Sequence, residues 1–213
     1  MNTSNEVVVY HFTKKENLPS ILRDGLTCCS KFNTLGSILR NNACYFWLHP
    51  ANDLMGYASN SEYECLEVTI NSTACIVADM DLISAAYVNY MMEKSDQALF
   101  DYNELVAFYD KSALQIDTYV IGTFRAPEVI VQRNISPENI KPVNLPTKDN
   151  GFASNRDVYN AKIRTLYSAT SDMKKVAVHD DSTGLLTTYA LKRTDGFITI
   201  EEFLNRKHML FLD

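Results

Sequence analysis

Val7-Val8-Val9-Tyr10-His11-Phe12-Thr13-Lys14-Lys15-Glu16-Asn17-Leu18-Pro19-Ser20-Ile21-Leu22-Arg23-Asp24-Gly25-Leu26 is the stretch on which the reading of this chain turns. Its first six residues form a continuous β-prone run of the kind found in a buried strand. From Glu16 the period changes. Leu18, Ile21 and Leu22 share one helical face, Asn17 offers an N-cap, Pro19 sits in the first turn, and Gly25 supplies a C-terminal stop.

Working outward, residues 43–48 (Ala-Cys-Tyr-Phe-Trp-Leu) repeat the buried-strand pattern and end at Pro50. A helical turn is predicted near residues 36–40 and a helix over 52–59. Strands are predicted over 64–70, 74–78, 119–124 and 128–131. Residues 81–112 read as one or two helices with Asp81 as N-cap. The breaker-rich run Asn144-Leu145-Pro146-Thr147-Lys148-Asp149-Asn150-Gly151 divides a main domain, 1–146, from a small α/β extension, 147–213. In the extension a helix near 157–168, a hairpin of 176–179 against 185–191 and a helix over 199–207 are expected. The fold class is α+β.

Composition narrows the options. The 213 residues are 46% hydrophobic and 22% charged, ordinary for a soluble globular chain. A chain of this length buries roughly 70% of its extended surface and needs neither disulfide nor metal to hold a core. No apolar stretch approaches the roughly 20 residues of a membrane span, and no basic residue precedes the first apolar run. A cytoplasmic location without membrane contact is expected. The five cysteines contain no CxxC pair, so they read as reduced apolar fillers and no metal is expected. The net charge of −6 is unevenly spread, with two basic and twelve acidic residues between 52 and 117. That block reads as a solvated face, or as a docking surface for a basic partner.

Several chemistries are excluded by absence. The sequence has no GxSxG elbow, no GxxxxGK[ST] loop, no HExxH and no GxGxxG, and its seven glycines are few for a phosphate-cradling loop. The segment Asp195–Phe203 imitates half of an EF-hand, but its register puts Leu191 and Arg193 where calcium needs oxygen ligands.

What remains is an ordered constellation: Tyr10-His11-Phe12-Thr13, Asn17-Leu18-Pro19-Ser20-Ile21-Leu22, Gly25-Leu26 and, late in the chain, Ala126-Pro127-Glu128-Val129-Ile130-Val131. This order resembles the ADP-ribosyltransferase superfamily, most closely its DarT-like branch, over residues 7–143. The resemblance implies a split β-sandwich with flanking helices whose cleft binds NAD as a substrate. It implies cleavage of the nicotinamide–ribose bond and transfer of ADP-ribose to a nucleophile. Such cleavage develops an oxocarbenium ion, which a nearby carboxylate stabilises while it holds a ribose hydroxyl and helps deprotonate the acceptor.

On this resemblance Glu128 carries the carboxylate role. His11, Phe12 and Thr13 contact the nicotinamide side of NAD, Asn17 and Leu26 support the NAD loop, Tyr45 or Phe46 stacks on the nicotinamide, and Arg40 meets the pyrophosphate or the target. Glu64 and Glu67 compete with Glu128 for its role; His49, His179 and His208 have no partner pattern. The expected activity is that of a toxin of a toxin–antitoxin or phage-defence system, with an antitoxin as partner. Its expected target is a base of single-stranded DNA or RNA, met by local cations such as Lys14, Lys15, Lys31 and Arg40 and by stacking on aromatic residues. Three alternatives stand beside it: a protein side chain as acceptor, a non-catalytic binding module on the same fold, and a tRNA 2′-phosphotransferase.

Overall fold

The computed structural model describes residues 5–145 apart from Leu54, residues 94–100, Gly122 and Arg125. Beyond them it describes the backbone of three short strands. Strand β1 (Glu6–Lys14) extends the apolar run into its polar flank. It pairs along its whole length with β3 (Tyr63–Asn71), from Glu6 opposite Asn71 to Lys14 opposite Tyr63, and β3 pairs in turn with β7 (Ile140–Val143). A second group is built from β2 (Cys44–Trp47), β6 (Pro127–Val131), β4 (Ile76–Asp79) and β5 (Leu114–Gln115). All pairings are antiparallel, and the seven strands run β5-β4-β6-β2-β1-β3-β7. The two groups meet through one residue pair, Tyr10 opposite Trp47. Past that pair no further ladder joins β1 to β2 among the described residues, so the sheet opens there.

Side-chain alternation sends β-strand residues to two cores. Val9, Phe46, Val68, Val129 and Val131 enter one, covered by α1 (Leu18–Asp24) through Ile21. Phe12, Trp47, Ala78 and Ile130 enter the other, closed by Met80, Leu82 and Ile83 of α2 (Met80–Glu93) and by Leu105 and Tyr109 of α3 (Tyr102–Lys111). Strand β6 lies between them, buried at every position, and Glu128 is its only charged residue. Each valine so buried contributes about 1.5–3 kcal/mol, which is what holds that carboxylate in the interior.

Gly25 ends α1 at φ 85°, where L side chains are rarely found. Its amide closes on the Ile21 carbonyl, and Leu26 then exchanges two 2.9 Å backbone hydrogen bonds with Ile135. A Cβ on Gly25 would stand 2.1 Å from the Ile135 carbonyl oxygen, so only glycine fits.

Five expectations are corrected. The described residues of 119–124 form no strand: the Phe124 amide donates to the Tyr119 hydroxyl at 3.3 Å, and Val120 and Ile121 are exposed and pair with no strand among the described residues. In place of a helix over 52–59 there are 3-10 turns at Pro50–Asn52 and Tyr57–Ser59. They are wound round Asp53, whose buried carboxylate accepts from the amides of Met55, Gly56 and Ala58. Residues 36–40 are turns rather than helix, because Asp110 takes their amides. Helix α2 begins at Met80, and Asp79, not Asp81, accepts the first-turn amide. The expected C-terminal hairpin pairs Lys174–Val176 (β8) with Ala190–Arg193 (β9), several residues from the predicted bounds, and β9 also pairs with Gly196–Phe197 (β10). The helices expected near 157–168 and over 199–207 lie outside the described residues.

Candidate active site

The opening between the two strand groups is a cleft of about 770 Å³. Its lining includes His11, Thr13 and Asn17 from the junction of β1 and α1, and Arg40, Tyr45 and Glu128; His11 and Tyr45 meet directly through a hydrogen bond. Sequence distance is large: 88 residues separate Arg40 from Glu128.

Glu128 is 3% exposed, a burial that a carboxylate tolerates only when paired. Both oxygens have partners. Oε1 accepts from Arg40 Nη2 at 3.2 Å, and Oε2 accepts from the Tyr109 hydroxyl at 2.6 Å. Burial, followed by the neighbouring Glu128 charge, pushes the Tyr109 hydroxyl far above its ordinary range. It therefore stays protonated and donates. Tyr109 itself is fully buried in α3, so the carboxylate is held by a rigid element.

Burial is the largest single influence on Arg40 and opposes its charge, but Glu128, Tyr109 and Tyr45 together outweigh it, and the guanidinium is held more firmly protonated than usual. The guanidinium lies 4.4 Å over the Tyr45 ring, and the Tyr45 hydroxyl donates to the Arg40 carbonyl at 2.8 Å. The turn that presents Arg40 is clamped from two sides. Asp110 accepts from the amides of Ile38 and Leu39, and Gln132 Nε2 donates to the carbonyls of Ile38, Leu39 and Asn41 at 3.2 Å. Arg40 Nε is buried without a hydrogen-bond partner.

His11 Nδ1 lies 2.9 Å from the Tyr45 carbonyl. Only a donor satisfies a carbonyl, which fixes the proton on Nδ1. Burial holds the imidazole below its ordinary pKa, and the ring is neutral with Nε2 left as an acceptor.

The other sequence-predicted residues divide. Phe12 and Thr13 are buried and line the cleft, and Asn17 lines it from an exposed position without a capping hydrogen bond. Leu26 is not brought to the cleft: it packs in the core beneath α1. Phe46 is 2% exposed and meets the His11 ring edge-on at 5.8 Å, which leaves it no free stacking face; Tyr45 shares one ring face with Arg40. Glu64 and Glu67 face lysines, with Lys15 at 3.4 Å and Lys141 at 2.6 Å, and neither lines the cleft.

Sequence reasoning missed Tyr109, Asp110 and Gln132. Leu105 and Tyr109 mark one buried face at i, i+4 spacing, and a buried tyrosine hydroxyl needs an acceptor, but nothing in the sequence names Glu128 as that acceptor. The stacked pair Tyr57 and Tyr63, 4.5 Å between centroids, also lines the cleft and was not foreseen. Among the described residues no group of three metal-ligating side chains converges, and no helix is long and apolar enough to cross a membrane. No family model, no curated protein and no solved structure matches the chain.

Proposed function

We propose that the cleft binds NAD and that the protein is an ADP-ribosyltransferase of the split β-sandwich type, with Glu128 as the carboxylate that works on the ribose. One observation carries the reading: a buried carboxylate, oriented by Arg40 and Tyr109, lines the same cleft of about 770 Å³ as His11, Thr13 and Asn17. That volume is within the range of roughly 300–1,000 Å³ usual for small-molecule sites. The single-pair joint between β1 and β2 supports a split sheet.

The donor set fits the ligand. His11 Nε2 accepts from a hydroxyl or an amide, and the Arg40 guanidinium, on the cleft lining beside Glu128, supplies a positive charge for an oxyanion. Glu128 accepts a hydroxyl proton, and its negative charge is placed to stabilise the positive charge that builds on a ribose when its bond to nicotinamide breaks. Arg40 and Tyr109 keep that carboxylate from rotating away. Met80 and Ile83 give the cleft an apolar wall.

We read the acceptor as a base of single-stranded DNA or RNA, the chemistry of a toxin. Phe32, on the cleft wall, is 62% exposed, and the Lys31 ammonium sits 5.8 Å from its ring centroid. An exposed ring with a cation beside it supports stacking of a base whose phosphate meets the lysine. Titration calorimetry of NAD into the protein tests the reading. One-to-one binding that weakens at least tenfold in His11→Ala supports it, and an absence of binding heat at millimolar NAD overturns it.

A further inference from the structure

We infer that Cys28 and Cys44 form an oxidative modification site, a cross-strand disulfide that closes the base of the arm carrying Arg40. The backbone register carries this. Cys29 and Ala43 exchange both amide hydrogen bonds, at 3.3 and 3.2 Å, in an antiparallel bridge. One step outward along that bridge places Cys28 opposite Cys44 at a non-hydrogen-bonded position, where Cα atoms lie about 4.5 Å apart and side chains come closest. A disulfide accepts Cα separations of roughly 4.4–6.8 Å. Both side chains lie on the same face, since Cys28 packs against the core that contains Cys44.

Their surroundings fix the order of the two steps and make the second, which needs the Cys44 thiolate, the slow one. Cys28 is half-buried and open to a small oxidant, and its thiol is directed at the Asn134 side-chain oxygen 3.0 Å away. Cys44 is buried; burial first, then the Cys28 and Cys29 sulfurs and a hydrogen bond with Cys28, push its thiol up to about 12. Cys28 is therefore the thiol that attacks the oxidant, and Cys44 is the resolving thiol. With a low-molecular-weight disulfide as oxidant, Cys28 displaces one thiol and forms a mixed disulfide. Cys44 then attacks the Cys28 sulfur, expels the second thiol and gives up its proton to it. Two protein thiols lose two electrons, and one disulfide becomes two thiols.

The closed loop, residues 28–44, contains the cleft-wall residues Lys31 to Leu35 and Arg40. Oxidation staples that arm at its base. This inference is independent of the NAD reading, and its test uses no activity assay.

The full chain, reduced and then incubated with oxidised glutathione, is denatured, its free thiols counted, and its peptides mapped by mass spectrometry. The expected result is loss of two of the five thiols, a linkage of Cys28 to Cys44, and its persistence in Cys29→Ser but not in Cys28→Ser. Melting of the oxidised chain is expected roughly 6–12 °C higher, as for a closed loop of this length. Five surviving thiols, a glutathione adduct that goes no further, a bridge through Cys29 or between two chains, or a lowered melting temperature would each overturn the inference.

Discussion

Replacing Tyr109 by phenylalanine removes one oxygen and leaves the ring that fills the core beneath α2. The lost contact is the 2.6 Å hydrogen bond from a fully buried hydroxyl to Oε2 of Glu128. Hydrogen bonds to charged groups are worth about 1.5–3 kcal/mol, and the upper half applies where water cannot replace the donor. Glu128 is 3% exposed, so Oε2 is left unsatisfied. The expected loss is about 2 kcal/mol, or roughly 4–8 °C in melting temperature for a chain of this size. Urea denaturation of wild type, Tyr109→Phe, Glu128→Gln and the double variant forms a cycle that isolates the pair. A coupling of about 1–2 kcal/mol is predicted, because in the Glu128→Gln background the hydroxyl meets a neutral acceptor. Additivity within about 0.5 kcal/mol would refute the claim that Tyr109 holds the carboxylate.

Three further outcomes follow from the same contacts. Arg40→Met strands a buried carboxylate and is expected to destabilise the protein by about 3–5 kcal/mol in urea unfolding; a change below 1 kcal/mol would mean that Glu128 is solvated. His11 has a folded-state pKa held down by burial, so between that value and the ordinary value near 6.5 the unfolded chain binds more protons. Stability should be full above about pH 6.5 and fall as the pH drops below it, by up to about 1.4 kcal/mol per pH unit, with a flatter profile in His11→Asn; equal slopes would contradict it. Gly25→Ala forces a Cβ against the Ile135 carbonyl at a positive φ, and a destabilisation of more than about 1 kcal/mol by urea midpoint is expected, an unchanged midpoint counting against the clash.

Much of the scaffold was legible because its strands are continuous β-prone runs. Val7–Phe12 and Val129–Val131 both became strands near their expected bounds, although only β6 is buried at every position and Val8 of β1 is exposed. Residues 119–124 show where that rule fails: β-prone side chains make a strand only if a neighbour offers its edge, and among the described residues none does there. Polar side chains decided other segments. Asp53 winds its loop into 3-10 turns by collecting three amides, and Asp110 does the same for the turn before Arg40; neither partner choice is encoded in local spacing. Of the site, His11, Thr13, Asn17, Arg40 and Glu128 were legible as residues and come together in the cleft. Tyr109 was not, because a helix face marks a residue as buried without saying what its hydroxyl meets. Leu26 lies in the core rather than on the cleft lining, because Gly25-Leu26 serves a backbone bridge to Ile135.

The most direct test of the central claim is transfer of label from adenylate-labelled NAD. Single-stranded DNA, RNA and cell-lysate protein are offered separately to wild type and to Glu128→Gln. The account predicts label on nucleic acid with wild type and a fall of about 10²–10³-fold with Glu128→Gln, the size expected when a charge-stabilising group is lost. Label on protein alone would keep the chemistry and move the acceptor. Transfer to none of the three by wild type, or undiminished transfer by Glu128→Gln, would contradict the assignment of Glu128 and of the cleft.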